Sequence, residues 1–242
     1  MKAQFLIVLS VCMIQLTAQT PVKGRLLYTD SFSTAQDTAG WRMEGPGQVD
    51  LGNGWLKMYS PGQKGHHVYW SPKLFPGNFI AEWEVQNLHL QAGLCIVFFS
   101  ASGLNNEDIF DPALPVRDGT FKQYTNGALN NYHISYYANT PNEPQRETAH
   151  LRKNKGFHLV YTGEPGITVQ SADVHRLQLV KQGGHIQLFI NGRKVIDWLD
   201  DGKKTGPVLP GGRIGFRQMK WTQFAYRNFS VWENLTTANQ EN

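Results

Sequence analysis

The sequence predicts an all-β protein, a mostly antiparallel β-sandwich, on three observations. Apolar and polar side chains alternate at period two in run after run, as at residues 78–85, where Ile80 or Ala81, Trp83 and Val85 alternate with Glu82 and Glu84. Turn formers punctuate these runs, with 24 Gly and 12 Pro spread along all 242 residues. No amphipathic helix of useful length and no repeat of fixed period is present. A sandwich of this length is commonly one domain.

The elements follow in order. Residues 1–18 read as an export signal: Lys2, then a nearly apolar run from Phe5 to Leu16, then the small residues Thr17 and Ala18. The run is too short to span a bilayer, and no later run is long enough. Cys12 is preceded by Val11, so no lipid anchor is expected. The expectation is a secreted or periplasmic protein with one domain over residues 19–242. Cys95 is the only cysteine of that domain, which excludes an internal disulfide, and its apolar setting reads as a small buried hydrophobe.

Strands are expected at residues 54–59, 66–70 and 78–85, then at 93–100, where Leu94-Cys95-Ile96-Val97-Phe98-Phe99 is apolar on both parities, as in a central strand covered on both sides. Residues 101–131 carry little periodicity. A connection of that length is commonly functional, and Ile109, Phe110, Leu114, Phe121 and Tyr124 provide apolar anchors for it. Strands resume at 132–137 and 157–161. Residues 175–181 and 185–190 form a hairpin across Gln182-Gly183-Gly184, and Asn191-Gly192 turns the chain into 194–198. Residues 213–218 and 224–232 close the domain.

Charged residues make up 17% of the chain and leave a formal net charge of +4. The basic residues are scattered rather than clustered, which argues against nucleic acid, while a modest positive excess suits an anionic glycan. There is no P-loop, no dinucleotide fingerprint and no Gly-x-Ser-x-Gly elbow. His66 and His67 are adjacent, so in a strand they face opposite sides, and no spacing marks a metal site; a structural calcium ion is the only metal left to consider.

Residues 175–232, with their hairpin, Asn-Gly turn, Gly215-Phe216 strand and Arg227-Asn228-Phe229-Ser230-Val231 strand, resemble the concanavalin A-like lectin/glucanase superfamily. Over most of the chain the sequence is similar to the YesU-like bacterial family. The matching segments are residues 66–70, 107–112, Arg117, Gly119, 132–136, 151–154, 156–160, 200–202 and 215–219. The resemblance implies a jelly-roll sandwich and an oligosaccharide or polysaccharide partner in a pectin-utilisation setting. It implies no reaction, so chemistry has to come from the residues.

In residues 132–137, strict alternation puts His133, Ser135 and Tyr137 on one face and Tyr132, Ile134 and Tyr136 on the other, without deciding which face lines a groove. His and Tyr with a cation are the parts of a β-elimination on a uronic acid: a base for the C5 proton, an acid for the leaving oxygen, and a positive charge on the carboxylate. His133, Tyr137 and Arg152 are the catalytic candidates, with Arg117 and Lys153 as further cations. Asp108 and Asp111 could hold hydroxyls or cap the loop as Asx turns. Glu82 and Glu84 share a strand face, but the Glu-x-Asp-x-Glu strand of retaining glucanases is absent, and a solvated sheet face is the plainer reading. His67, Trp70, Asp108, Asp111, Arg117, Tyr124, Ser135, His158 and Gln218 are the candidate sugar contacts. The site is expected on the concave face of the sandwich, walled by residues 101–131. The function classes are a lyase or hydrolase on acidic oligosaccharides, or a non-catalytic carbohydrate-binding module.

Overall fold

The computed structural model describes residues 21–236; the export-signal reading of residues 1–18 lies outside them. The strands are β1 (Lys23–Asp30), β2 (Arg42–Glu44), β3 (Gln48–Gly52), β4 (Trp55–Tyr59), β5 (His67–Trp70), β6 (Phe79–Asn87), β7 (Gly93–Gly103), β8 (Leu129–Thr140), β9 (Glu143–Arg146), β10 (Thr148–Asn154), β11 (His158–Pro165), β12 (Val174–Gln182), β13 (His185–Ile190), β14 (Arg193–Leu199), β15 (Arg213–Gln218) and β16 (Phe224–Asn234). One short helix, α1 (Phe121–Thr125), lies in the long connection. No helix among the described residues is long and apolar enough to cross a membrane.

These strands form two antiparallel sheets packed as a jelly-roll sandwich. The first runs β14-β13-β12-β6-β16-β4-β3, with β1 beside β16. The second runs β11-β10-β8-β7-β15-β5-β2, with β9 beside β8. The expected strands are all present. Strands β1 to β3, β9 and β10 are additional: β9 reads Glu-Pro-Gln-Arg, a polar strand whose proline is tolerated at a sheet edge.

Between the sheets lies an aromatic core that includes Trp83, Phe99, Tyr136, Phe216, Tyr226 and Phe229. Trp41 stacks on Phe216 at 6.0 Å and 12°. Trp55 and Trp232 carry Arg227 and Lys23 over their rings on the outer face of the first sheet. That face also holds Glu82 and Glu84. Glu82 is engaged by Lys23, Arg176 and Gln178, and Glu84 by Arg227.

A second apolar cluster lies on the outer face of the second sheet. Val68, Trp70, Ile96, Phe98 and Ala101 pack under Ile109, Tyr124 and Leu129 of the long connection and its flank. This accounts for the double-sided apolar character of β7: one parity meets the first sheet and the other meets the connection. Polar anchors fix the connection in place. Asp108 grips Arg213 through two bonds of 2.7 and 2.6 Å, and Arg117 grips Glu44 through bonds of 3.1 and 2.6 Å. Such forked pairs fix orientation as well as charge.

Candidate functional site

Alternation along β8 breaks at Tyr136. Cys95 lies opposite Tyr137 and Ile96 opposite Ser135, so Tyr136 is an extra residue on β8, a β-bulge. Tyr136 and Tyr137 therefore both enter the inter-sheet core, and Tyr137 meets Phe224 edge-on at 5.2 Å. The expectation that Tyr137 shares a face with His133 and Ser135 is corrected by that bulge.

Several other candidates have structural partners. Trp70 is buried and donates its indole N–H to Glu44 at 2.9 Å. Tyr124 stacks on Phe98 at 5.6 Å, and its hydroxyl accepts from the Gly119 N–H. Asp108 and Arg117 anchor the connection as described, and Asp111 accepts from the Ala113 N–H in an Asx turn. His67 and Gln218 lie opposite each other on β5 and β15 at the inward parity of Tyr69 and Phe216, and Gln218 meets the Tyr226 hydroxyl. His158 is exposed on the edge strand β11.

His133, Ser135 and Arg152 do come together, on the outer face of the second sheet. Directly opposed residues of neighbouring strands point the same way. Registry thus builds one line from Arg217 through Ile96 and Ser135 to His150, across β15, β7, β8 and β10. A second line holds Gly215, Phe98, His133 and Arg152. Arg146 reaches in from β9, donating to the Ser135 hydroxyl at 2.7 Å, to His150 Nδ1 at 2.9 Å and to Glu143 at 2.8 Å.

Aromatic rings frame these lines. His133 lies 5.4 Å from Phe98, 5.7 Å from Phe121 and 5.9 Å from Phe157. Phe121 of α1 also lies 4.3 Å from the Arg217 guanidinium, and Phe157 lies 3.9 Å from that of Arg152. Arg217 is fully buried, yet none of its three guanidinium nitrogens has a hydrogen-bond partner among the described residues. Burying a charge this way is costly unless something pairs it.

Residues 25–231 match the model of a family described as a domain of unknown function, DUF1961. The chain belongs to the DUF1961 family. It is 39% identical over 212 residues to the uncharacterized protein YesU of Bacillus subtilis strain 168, covering 86% of this chain and 96% of that one. A crystal structure from Bacillus subtilis, described as a protein of unknown function with a galectin-like fold, superposes with a TM-score of 0.86 at 37% identity, over 90% of this chain and all of the other. The carbohydrate binding module CBM66 from Bacillus subtilis shares the fold, with a TM-score of 0.53 at 15% identity over 80% of this chain and 96% of the module.

Electrostatics set this face of the DUF1961 domain apart. Burial pushes the Arg217 guanidinium down to about 10, and burial also lowers Arg146 and Arg152. The His133 imidazole is held well below its usual range by burial, reinforced by Arg152, Arg217 and Arg146. His150 is lowered by burial and by Arg146. Glu143 pairs with Arg146 and acts on Arg152 as well, while Arg217 has no carboxylate beside it. Among the described residues no three His, Cys, Asp or Glu side chains converge to hold a metal ion.

These histidines predict acid lability. His66 and His67 are each depressed to about 4, chiefly by burial, alongside His133 and His150. Below the unfolded value of about 6.5 the unfolded chain binds more protons than the folded one, so stability rises with pH in that window. It is fully present above about pH 6.5 and is lost as pH falls toward about 4, with each histidine steepening the slope by up to ~1.4 kcal/mol per pH unit. Urea unfolding at stepped pH should show this loss before the carboxylates titrate; a flat profile between about pH 7 and 5 contradicts it.

Arg217, Arg146, His150, Phe121 and Phe157 were absent from the sequence-derived candidates. The signal for Arg217 was present: Ile214 and Phe216 face inward, so Arg213 and Arg217 face outward. Phe157 had none, since it is placed by a turn in which Gly156 and Phe157 both take positive φ, 115° and 57°.

Proposed function

We propose that this DUF1961 protein binds an acidic saccharide across the outer face of its second sheet, with Arg217 taking the carboxylate. The observation that carries the reading is the buried guanidinium of Arg217 with its nitrogens free of protein acceptors. A uronate oxygen pair fits the planar fork of arginine, and the exposed edge of Phe157 offers a surface for the apolar face of a sugar ring. The shared fold with a carbohydrate binding module supports a saccharide partner.

Recognition is favoured over bond cleavage by proton placement. Elimination needs a base, yet Nδ1 of both His133 and His150 already accepts a hydrogen bond, from Asn154 and Arg146. Tyr137 is on the core side, and Glu82 and Glu84 are ion-paired on the far sheet. The site is therefore rich in donors and poor in bases. Incubation with uronic-acid oligosaccharides should give saturable binding with no unsaturated product in the ultraviolet and no new reducing ends. Turnover that disappears in His133→Ala would overturn the non-catalytic reading. Export by residues 1–18, to the periplasm or outside, belongs to the same proposal, and N-terminal sequencing of the protein from cell fractions tests it.

A further inference from the structure

Resting on that reading, we infer that Asn131 and Asn154 are positioning residues that lock His133 as an Nε2–H donor, a second hydrogen-bonding group for the same acidic ligand. The argument starts from a group with one possible role. The Tyr124 carbonyl in α1 can only accept, and the Asn131 side-chain atom 2.8 Å from it is therefore the amide nitrogen. That turns the Asn131 oxygen toward Asn154, whose amide nitrogen lies 2.7 Å away and donates to it. The same nitrogen has a second hydrogen, and it meets His133 Nδ1 at 2.8 Å. Nδ1 must then accept, so the imidazole proton resides on Nε2. Nε2 makes no hydrogen bond to any described residue and stays free for a ligand oxygen.

The three residues are brought together by registry. Asn154 lies opposite Asn131 in the β8–β10 ladder, and Arg152 lies opposite His133. The connection is bound into the same relay, because the Gly156 N–H donates to the Thr125 carbonyl at 2.7 Å, one residue beyond Tyr124. The seating of α1 on the sheet thereby fixes the proton on His133. The charged groups around the ring are Arg152 from β10, Arg146 from β9 and Arg217 from β15, all cations. Aromatic rings supply the rest of its walls. Protonation of the ring is thus opposed on every side, and ligand affinity should not follow the titration of this histidine.

Nitrogen-15 NMR of the intact protein tests this without any ligand. The His133 ring should show an unprotonated Nδ1 and a protonated Nε2, unchanged from about pH 8 to about pH 5. Asn154→Asp places a carboxylate against Nδ1, so the ring should gain a proton there and titrate within that range. Titration with an oligogalacturonide should then show affinity changing by roughly tenfold between about pH 5 and 8 in Asn154→Asp, against less than about twofold in the wild type. Asn131→Ala, which frees Asn154 to turn, should weaken the tautomer preference in the NMR spectrum. A wild-type ring protonated at Nδ1, or one titrating near its ordinary value, overturns the inference. If the tautomer is as assigned but no acidic saccharide binds, the relay stands and the ligand reading fails.

Discussion

Replacing Arg217 by Met should make the protein more stable and weaken its binding of the proposed acidic saccharide. The guanidinium is fully buried with no protein acceptor at any of its three nitrogens, and its positive charge faces Phe121. Methionine has a similar reach and no desolvation cost. Exchange of buried charge for a well-packed apolar side chain is commonly neutral or stabilising by ~1–4 kcal/mol. For a domain of this size each kcal/mol raises the melting temperature by roughly 2–4 °C. Loss of a buried charged hydrogen-bonding partner to a ligand costs ~2–5 kcal/mol, a fall in affinity of roughly 30-fold to several thousand-fold. Thermal unfolding of the protein alone, paired with calorimetric titration of an oligogalacturonide, reads both effects. A variant that melts lower and still binds would show that Arg217 serves the fold instead of the ligand. A stability gain coupled to a binding loss is the signature of a residue kept for function.

The second large effect lies on the inner side of β10. Lys153 Nζ lies 2.7 Å from Asp200 Oδ2, and each side chain is only 2% exposed. The Tyr132 hydroxyl donates to the same oxygen at 2.5 Å and accepts from the Leu209 N–H at 3.1 Å, while Lys153 also donates to the Gly206 carbonyl at 2.6 Å. Asp200→Ala would leave the lysine buried without a counter-charge, and breaking a buried pair in this way costs ~3–5 kcal/mol. The double change Asp200→Asn with Lys153→Met should recover most of that, because an amide still accepts from Tyr132 and no charge is stranded. Urea unfolding of the two variants measures the difference; a loss below about 1 kcal/mol in Asp200→Ala contradicts the assignment. The Lys153 and Tyr132 bonds also hold the Asp200 carboxyl below its ordinary range against the opposing effect of burial. The stability it supplies is present above its unfolded value and is lost as pH falls through the depressed folded one. Because Arg152 and Asn154 flank Lys153 on the opposite parity, this inner cluster also holds the outer site in register.

How far the sequence revealed this molecule differs between fold and site. Periodicity exposed the strands with a clean wet and dry face, such as β6, β12 and β13, and the double-sided apolar run of β7 announced a covering layer on each side. Strands β1, β9 and β10 stayed unassigned for two reasons: β1 pairs with β16 at the far end of the chain, while β9 and β10 form local hairpins with β8 and β11 but are mostly polar, so no apolar alternation marks them. The long connection was rightly singled out as unusual for its length, but its polar residues hold it down: Asp108 to Arg213 and Arg117 to Glu44 join residues 105 and 73 positions apart, which no local pattern encodes. The bulge at Tyr136 is equally hidden, since inserting one residue into a ladder requires knowledge of the partner strand, and it removed Tyr137 from the face. Arg217 was within reach. Its strand alternates plainly, with Ile214, Phe216 and Gln218 at the inward parity and Arg213 and Arg217 at the outward one.

The measurement that tests the acidic-ligand reading most directly is a calorimetric comparison of one oligogalacturonide with its fully methyl-esterified form, at neutral pH and constant salt. Chain length, ring faces and hydroxyls are the same in both; the ester removes the carboxylate charge and adds one methyl group at each carboxyl. With Arg217, Arg146 and Arg152 around the site, the free acid should bind and the ester should bind at least about 30-fold more weakly. Raising salt should weaken the free acid alone, because the half-buried Arg146 and Arg152 attract its charge through solvent that salt screens, and a neutral contact is not screened. Equal affinity for acid and ester, or binding of neither, contradicts the assignment of Arg217 as the carboxylate anchor.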